Sequence, residues 1–337
     1  MTRQRWWPYV IPVCCLHMIG IALLTVSVRQ HPTLLGMAFL AYTFGLRHAF
    51  DVDHIAAIDN TVRKLTHEQK HPMGVGFYFS LGHSTVVAGL TMVTAMSVHF
   101  LKERMPQIET VGSVMGPTVS GTFLLVIGCI NLVVLAQILR TFMRMRGREE
   151  VHTDLESWLS MRGFMARLTK PLLRIVNKSW HAYPIGFLFG LGFDTATEIA
   201  LLGISAVAAK NALPFTGVLS LPILFAAGMS LLDTADGIFM STAYDWAFAT
   251  PLRKVYYNLS VTGLGVLAAV FVGLVELAQV LVPALGLRGQ LWNWIVQVNF
   301  GRLGYLLVAL FVAVWVLSFG LWKFFHIEEH WQGSAGS

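Results

Sequence analysis

The sequence predicts an all-α polytopic membrane protein with about eight transmembrane helices, and three observations carry that expectation. Of its 337 residues, 55% are hydrophobic and only 12% are charged, whereas a soluble globular domain carries about 25% charged residues. Solid apolar runs near 20 residues recur along the chain, as a helix needs to cross a hydrocarbon core of about 30 Å. A membrane β-barrel would show short alternating segments instead. The third observation is the stretch FGLRHAFDVDHIAAIDN, Phe44 to Asn60. It sets Arg47, His48, Asp51, Asp53, His54 and Asp59 in or beside an apolar run, where each Asp or Arg costs about 2.5–3.5 kcal/mol to insert. Such a cluster has to be paired, hydrated or bound to a cation.

Taken in order, the first span is expected at Tyr9 to Val28, after Arg3 and Arg5. No small-residue cleavage site closes it, so it reads as a retained helix and not a signal peptide. The second runs from Thr33 to Ile58, the third from Gly74 to Val98 and the fourth from Pro117 to Leu139. After a polar stretch, the fifth follows at Tyr183 to Ala209 and the sixth at Gly217 to Thr242, with the seventh at Val261 to Val282 and the eighth at Leu303 to Phe325. Residues 1–330 thus read as a single transmembrane domain, and the closing GSAGS, 333–337, as an appended tail.

The net charge of +6 does not point to nucleic acid, because the basic residues lie mostly between apolar runs, where they set topology. Arg63, Lys64, Lys70, the 140–181 loop, Arg253 and Lys254 fall on one side with the amino terminus. The positive-inside rule makes that side cytoplasmic and places both termini there. Within 140–181, Leu155, Trp158, Leu159, Met165, Leu168, Leu172 and Ile175 recur near helical spacing among arginines and lysines. The pattern predicts an interfacial amphipathic helix on anionic lipid.

FGLRHAFDVDHIA (44–56) is echoed by FGLGFDTATEIA (189–200), and GHSTVV in the third span by GMSLLD in the sixth. If the topology holds, spans two and five run in opposite directions, as in an inverted repeat of spans 2–4 and 5–7 with a site at the midplane. Chance likeness between Gly-rich apolar segments is the alternative.

Four spans carry intramembrane polar groups. Besides the opening set, the third supplies His83, Ser84 and Thr85, the fifth Asp194, Thr195, Thr197 and Glu198, and the sixth Asp233 and Asp236. Asp194 and Glu198 are spaced to share a helix face. His48 and His54, however, lie about 240° apart around an ideal helix. One straight segment cannot aim His48, Asp51, Asp53 and His54 at one ion. The helix must be interrupted there, or some of these groups must act on the ligands instead of on the ion. The three cysteines, Cys14, Cys15 and Cys129, form no CxxC. Imidazole with carboxylate and little sulfur suits nickel, cobalt, zinc or manganese; calcium and magnesium would want oxygen only.

RHAFDVDHI resembles the second-helix motif of the nickel/cobalt transporter (NiCoT) family, with its HX4DH core at His48, Asp53 and His54. FYFSLGHSTVV, LGFDTATEI and GMSLLDTADG are similar to that family's motifs in its third, fifth and sixth helices, in order and over nearly the whole chain. The resemblance implies an eight-span permease taking up Ni2+ or Co2+, with metal-contacting or transport-essential roles for His48, Asp51, Asp53, His54, His83, Asp194, Glu198 and Asp233. It implies no resident cofactor and no enzymatic activity.

Other polar residues read more plainly. Arg47 is expected as a counter-charge or interfacial residue and His17 as a buried histidine bonded to a neighbour. Asp236 should sit by the backbone at Gly237, while Glu276 and Gln279 should snorkel to an interface. HEQKH (67–71) and HIEEH (326–330) read as solvated, and Trp6, Trp7, Tyr9, Trp292 and Trp294 as interface belts. Asp194 and Glu198 fit a proton relay as well as a ligand pair. The competing functions are an intramembrane metalloenzyme, although no HExxH falls within an expected span, and an exporter or proton-coupled carrier of another divalent cation.

Overall fold

The computed structural model describes residues 6–68, 70–96, 98–145, 176–192, 196–211, 213–247, 263–298 and 300–324. Eleven α-helices are present among them: α1 (Trp7–Val28), α2 (Thr33–His48), α3 (Val52–His67), α4 (Val75–Met96), α5 (Val98–Met145), α6 (Ala182–Gly190), α7 (Ala196–Lys210), α8 (Phe215–Ala247), α9 (Gly263–Ala284), α10 (Gln290–Val296) and α11 (Phe300–Phe324). Trp7–Val28, Thr110–Val133, Phe215–Tyr244 and Gly263–Ala284 are each long and apolar enough to cross a membrane. The exterior is correspondingly apolar: Met18 is 67% and Leu267 68% exposed, whereas His48, His54, Asp59, Glu198 and Asp233 are buried. That is the reverse of a soluble protein's polarity.

The expected second span is two helices. α2 ends at His48, and α3 begins after Asp51, whose backbone is extended (φ −66°, ψ 139°). Tight bonds close the end of α2, with the Phe50 amide on Arg47 carbonyl at 3.0 Å and the Asp51 amide on His48 carbonyl at 2.9 Å. Asp51 stands where a helix-capping side chain belongs but makes no cap hydrogen bond, because its carboxylate turns back to His48. α11 covers the break. A Cβ on Gly304 would collide with the Phe50 carbonyl, and the Phe50 and Tyr305 rings lie 5.1 Å apart. The fifth span is also divided, into α6 and α7, across the second FGL motif. The stretch expected as a loop between spans three and four is helical from Val98. Its Lys, Glu, Arg, Met and Gln residues are all good helix formers. Of the expected amphipathic loop, 146–175 lies outside the described residues.

α8 is the hub, packing on α1, α2, α3, α4 and α7, while α9 packs on α5 and α3. Two apolar cores result. One holds Val52, Ile58, Phe79, Phe189 and Met240, and the other Leu34, Leu201, Leu221, Phe225 and Met229. Small residues let the backbones meet, as between membrane helices generally. Gly82 of α4 lies against the Tyr183 carbonyl, and Gly186 of α6 against the Phe79 carbonyl, so neither position has room for a Cβ. Gly82 immediately precedes His83, so this approach also brings that imidazole to its partners. Gly82→Val is expected to destabilise the fold by about 1–3 kcal/mol or more, read as a lower Tm of the detergent-purified protein. Gly89→Ala, on the same helix with open space around it, should leave Tm unchanged or slightly raised.

Candidate metal centre

Three histidines meet where the break in α2–α3 faces α4, α7 and α8. One ring nitrogen from each of His48, His54 and His83 lies within 4.8 Å of the other two. Ring centroids are 4.6 Å apart for His48–His54, 4.7 Å for His48–His83 and 4.9 Å for His54–His83. All three are buried, His54 completely. The interruption makes this possible: with the helix axis redirected at residues 49–51, His48 and His54 are no longer bound to the angular offset of a straight helix.

Each imidazole has a carboxylate partner. His48 Nδ1 lies 3.0 Å from Asp51 Oδ2, with the Thr197 hydroxyl 3.2 Å from the same nitrogen. His83 Nε2 lies 2.8 Å from Glu198 Oε1 and 2.9 Å from His48 Nε2. His54 Nδ1 lies 3.3 Å from Asp233 Oδ2. A neutral imidazole has one N–H and one lone pair. Donation of the His48 Nδ1–H to Asp51 therefore aims the Nε2 lone pair at His83. The His83 Nε2–H then lies between Glu198 and His48. His54 Nε2 and His83 Nδ1 have no hydrogen-bond partner, although a buried polar nitrogen ordinarily has one. A divalent cation satisfies such a set directly. Histidine with an oriented carboxylate behind it is the usual arrangement around a transition metal.

The other residues fall around this trio. Asp51 and Asp233 hold the far sides of His48 and His54. Asp53, partly buried in the first turn of α3, lies outside the trio. Asp194 lies outside the described residues, as does HIEEH. Arg47 is exposed, in keeping with a role away from the cation. His17 bonds Val13 carbonyl at 2.8 Å and lies 3.3 Å from the Tyr42 hydroxyl, as expected of a histidine held by its neighbours. One expectation fails. Glu276 does not snorkel; it is buried, and the Ser120 hydroxyl donates to it at 2.6 Å. Gln279 donates to the carbonyls of Ile295 and Val298, both at 3.1 Å, tying α9 to the end of α10.

Sequence reasoning named Thr197 as an intramembrane polar group but gave it no place in the site, and it missed Tyr244 altogether. Thr197 precedes Glu198 and was legible from that adjacency. The Tyr244 hydroxyl meets Asp59 at 2.6 Å across two helices, and no local motif announces it.

Residues 34–321 match the family described as NicO, high-affinity nickel-transport protein. The chain belongs to the nickel/cobalt transporter family. Among its relatives, the "Nickel transporter NixA" of Staphylococcus aureus is 49% identical over 329 residues, covering 98% of this chain and 97% of that one. The "High-affinity nickel-transport protein NixA" of Helicobacter pylori strain J99 is 50% identical over 326 residues, covering 95% and 97%. The "Cobalt transport protein NhlF" of Rhodococcus rhodochrous is 39% identical over 322 residues, covering 93% and 91%. No solved structure matches. As a member of the nickel/cobalt transporter family, this chain is a multi-pass membrane protein and not an enzyme.

Asp51→Asn tests the orienting role of the carboxylate behind His48. It removes the charge and allows the amide to present its NH2 to the imidazole. Affinity for Ni2+ is expected to fall about 10–100-fold, measured by equilibrium dialysis of the purified protein, with Tm nearly unchanged.

Proposed function

We propose that this protein takes up Ni2+, Co2+ or both across the cytoplasmic membrane by secondary transport, through the buried histidine and carboxylate centre. The observation that carries the reading is the trio His48, His54 and His83, with two ring nitrogens lacking protein partners inside an apolar bundle. The names of the nickel and cobalt relatives support it. His48, Asp51, Asp53, His54, His83, Asp194, Glu198 and Asp233 form the metal-handling set. His48, His54 and His83 offer ligand atoms, and Asp51, Glu198 and Asp233 orient them or close on the ion.

In this reading the chain makes eight crossings with both termini in the cytoplasm. The interrupted pairs α2–α3 and α6–α7, broken just after the first FGL motif and at the second, support an inverted repeat whose halves meet at the site. The ion exchanges most of its water for imidazole and carboxylate, the halves move about it, and it leaves inward. The inside-negative potential favours entry by about 4.6 kcal/mol per 100 mV for a divalent ion.

Vesicles containing the protein should accumulate radiolabelled Ni2+, with excess unlabelled Co2+ competing. His54→Ala should lower the initial rate at least about tenfold. Undiminished uptake by that variant removes α3 from the site, and net movement outward under the same gradient makes the protein an exporter.

A further inference from the structure

A second buried ionic group lies one level beyond the histidines, and nothing in the metal site uses it. Asp59 and Arg63 of α3 form an ion pair, and both are buried. Tyr244 of α8 donates its hydroxyl to Asp59 Oδ1 at 2.6 Å. The Tyr244 hydroxyl oxygen in turn accepts from Arg63 Nε at 3.1 Å and Nη2 at 2.6 Å. The guanidinium carbon stands 5.2 Å from the Tyr244 ring centre.

α3 and α8 run side by side in the same direction: His54 meets Asp233 near the start, and Arg63 meets Tyr244 further along. The nine residues from His54 to Arg63 correspond to about 14 Å along the axis. Asp236 lies between these levels on α8. Its Oδ2 is buried without a hydrogen-bond partner, and Asp233 and Asp59 are both near it. A cation leaving the histidines thus finds carboxylates at Asp233, Asp236 and Asp59, then meets the fixed positive charge of Arg63. The guanidinium is confined on the α9 side, where a Cβ at Gly265 would collide with it and with Asp59. The neighbouring Asn60 pins α3 to α9 through Gly265 carbonyl at 3.3 Å, and Asn131 of α5 donates to Asn60 at 2.9 Å. Among the described residues, the contact that joins this pair to α8 is the one with Tyr244. Just beyond, Lys64 donates to the Val176 carbonyl and Ser179 to the His71 carbonyl, closing the same end of the bundle.

We propose that Asp59, Arg63 and Tyr244 are the gate on the exit side of the metal centre, with the Arg63 guanidinium as a tethered cation holding the position that a departing metal ion must take next. Stability alone is a weak reason for such a group, since apolar residues of similar volume commonly serve as well. A tethered cation, by contrast, balances Asp59 between cargoes and is displaced by a divalent ion arriving along Asp236. The inference rests on the reading that the chain conducts divalent metal.

The test uses the full chain purified in detergent, loaded with radiolabelled Ni2+ and chased with excess unlabelled ion. Tyr244→Phe deletes one oxygen of the gate, and Arg63→Lys keeps the charge while losing the fork that holds Asp59 and Tyr244 together. Weakening a closed state raises the open population, so association and release accelerate together. Both variants should release Ni2+ about tenfold faster, matching loss of one hydrogen bond to a charged group, with Kd within about threefold of the unaltered protein. Release rates unchanged in both variants overturn the gate. Faster release matched by an equal loss of affinity also overturns it, because that is the mark of a damaged site. Failure of the unaltered protein to bind Ni2+ overturns the transport reading, and the gate with it.

Discussion

An imidazole or carboxylate sealed inside an apolar shell persists only with a partner, and in this bundle the partner is almost always on another helix. His48 is held by Asp51 across the break and meets His83 of α4. His83 meets Glu198 of α7, and His54 meets Asp233 of α8. The pairs that make burial tolerable therefore also fix how five helices stand to one another. Removing one partner leaves a buried group uncompensated, which costs more than the pair gains when intact. The site and the tertiary packing around it are one set of interactions.

The interruption at residues 49–51 makes the set geometrically possible. A continuous helix from Thr33 to His67 would keep every backbone group paired but would hold His48 and His54 on different faces. Breaking it frees backbone groups inside the bundle, which is tolerated only where protein covers them. Short-range bonds at the end of α2 satisfy two amides, and the close approach of α11 at Gly304 encloses the Phe50 carbonyl. Glycine on α4 and α6 lets His83 approach. Close backbone contact and the metal-ligand geometry thus have a common origin in a few small residues.

Much of this was legible in the sequence, for a physical reason. Hydropathy reports which segments face lipid, so the runs at Tyr9–Val28, Gly74–Val98, Val261–Val282 and Leu303–Phe325 match α1, α4, α9 and α11 to within a few residues. Angular spacing showed that His48 and His54 could not share a straight helix, and the break lies between them. The pairing across helices was not legible. Nothing local assigns Glu198 to His83, Ser120 to Glu276, or Tyr244 to Asp59, because each depends on how helices far apart in sequence dock. The same blindness led Glu276 to be read as interfacial. Hydropathy treats a polar group as a cost to be removed to water and cannot see a partner two helices away.

The cover that α11 lays over Phe50 has a consequence for the order of assembly. The break belongs to the first fifth of the chain, while Gly304 and Tyr305 are made near its end. During synthesis the interrupted segment, with its ionisable residues, stands in the membrane well before the helix that shields it is inserted. The described groups of the metal centre are all encoded by the end of α8, but the break that sets His48 against His54 is covered only when α11 docks. Until then α2 and α3 depend on water or on the insertion machinery to satisfy the backbone that Gly304 later encloses.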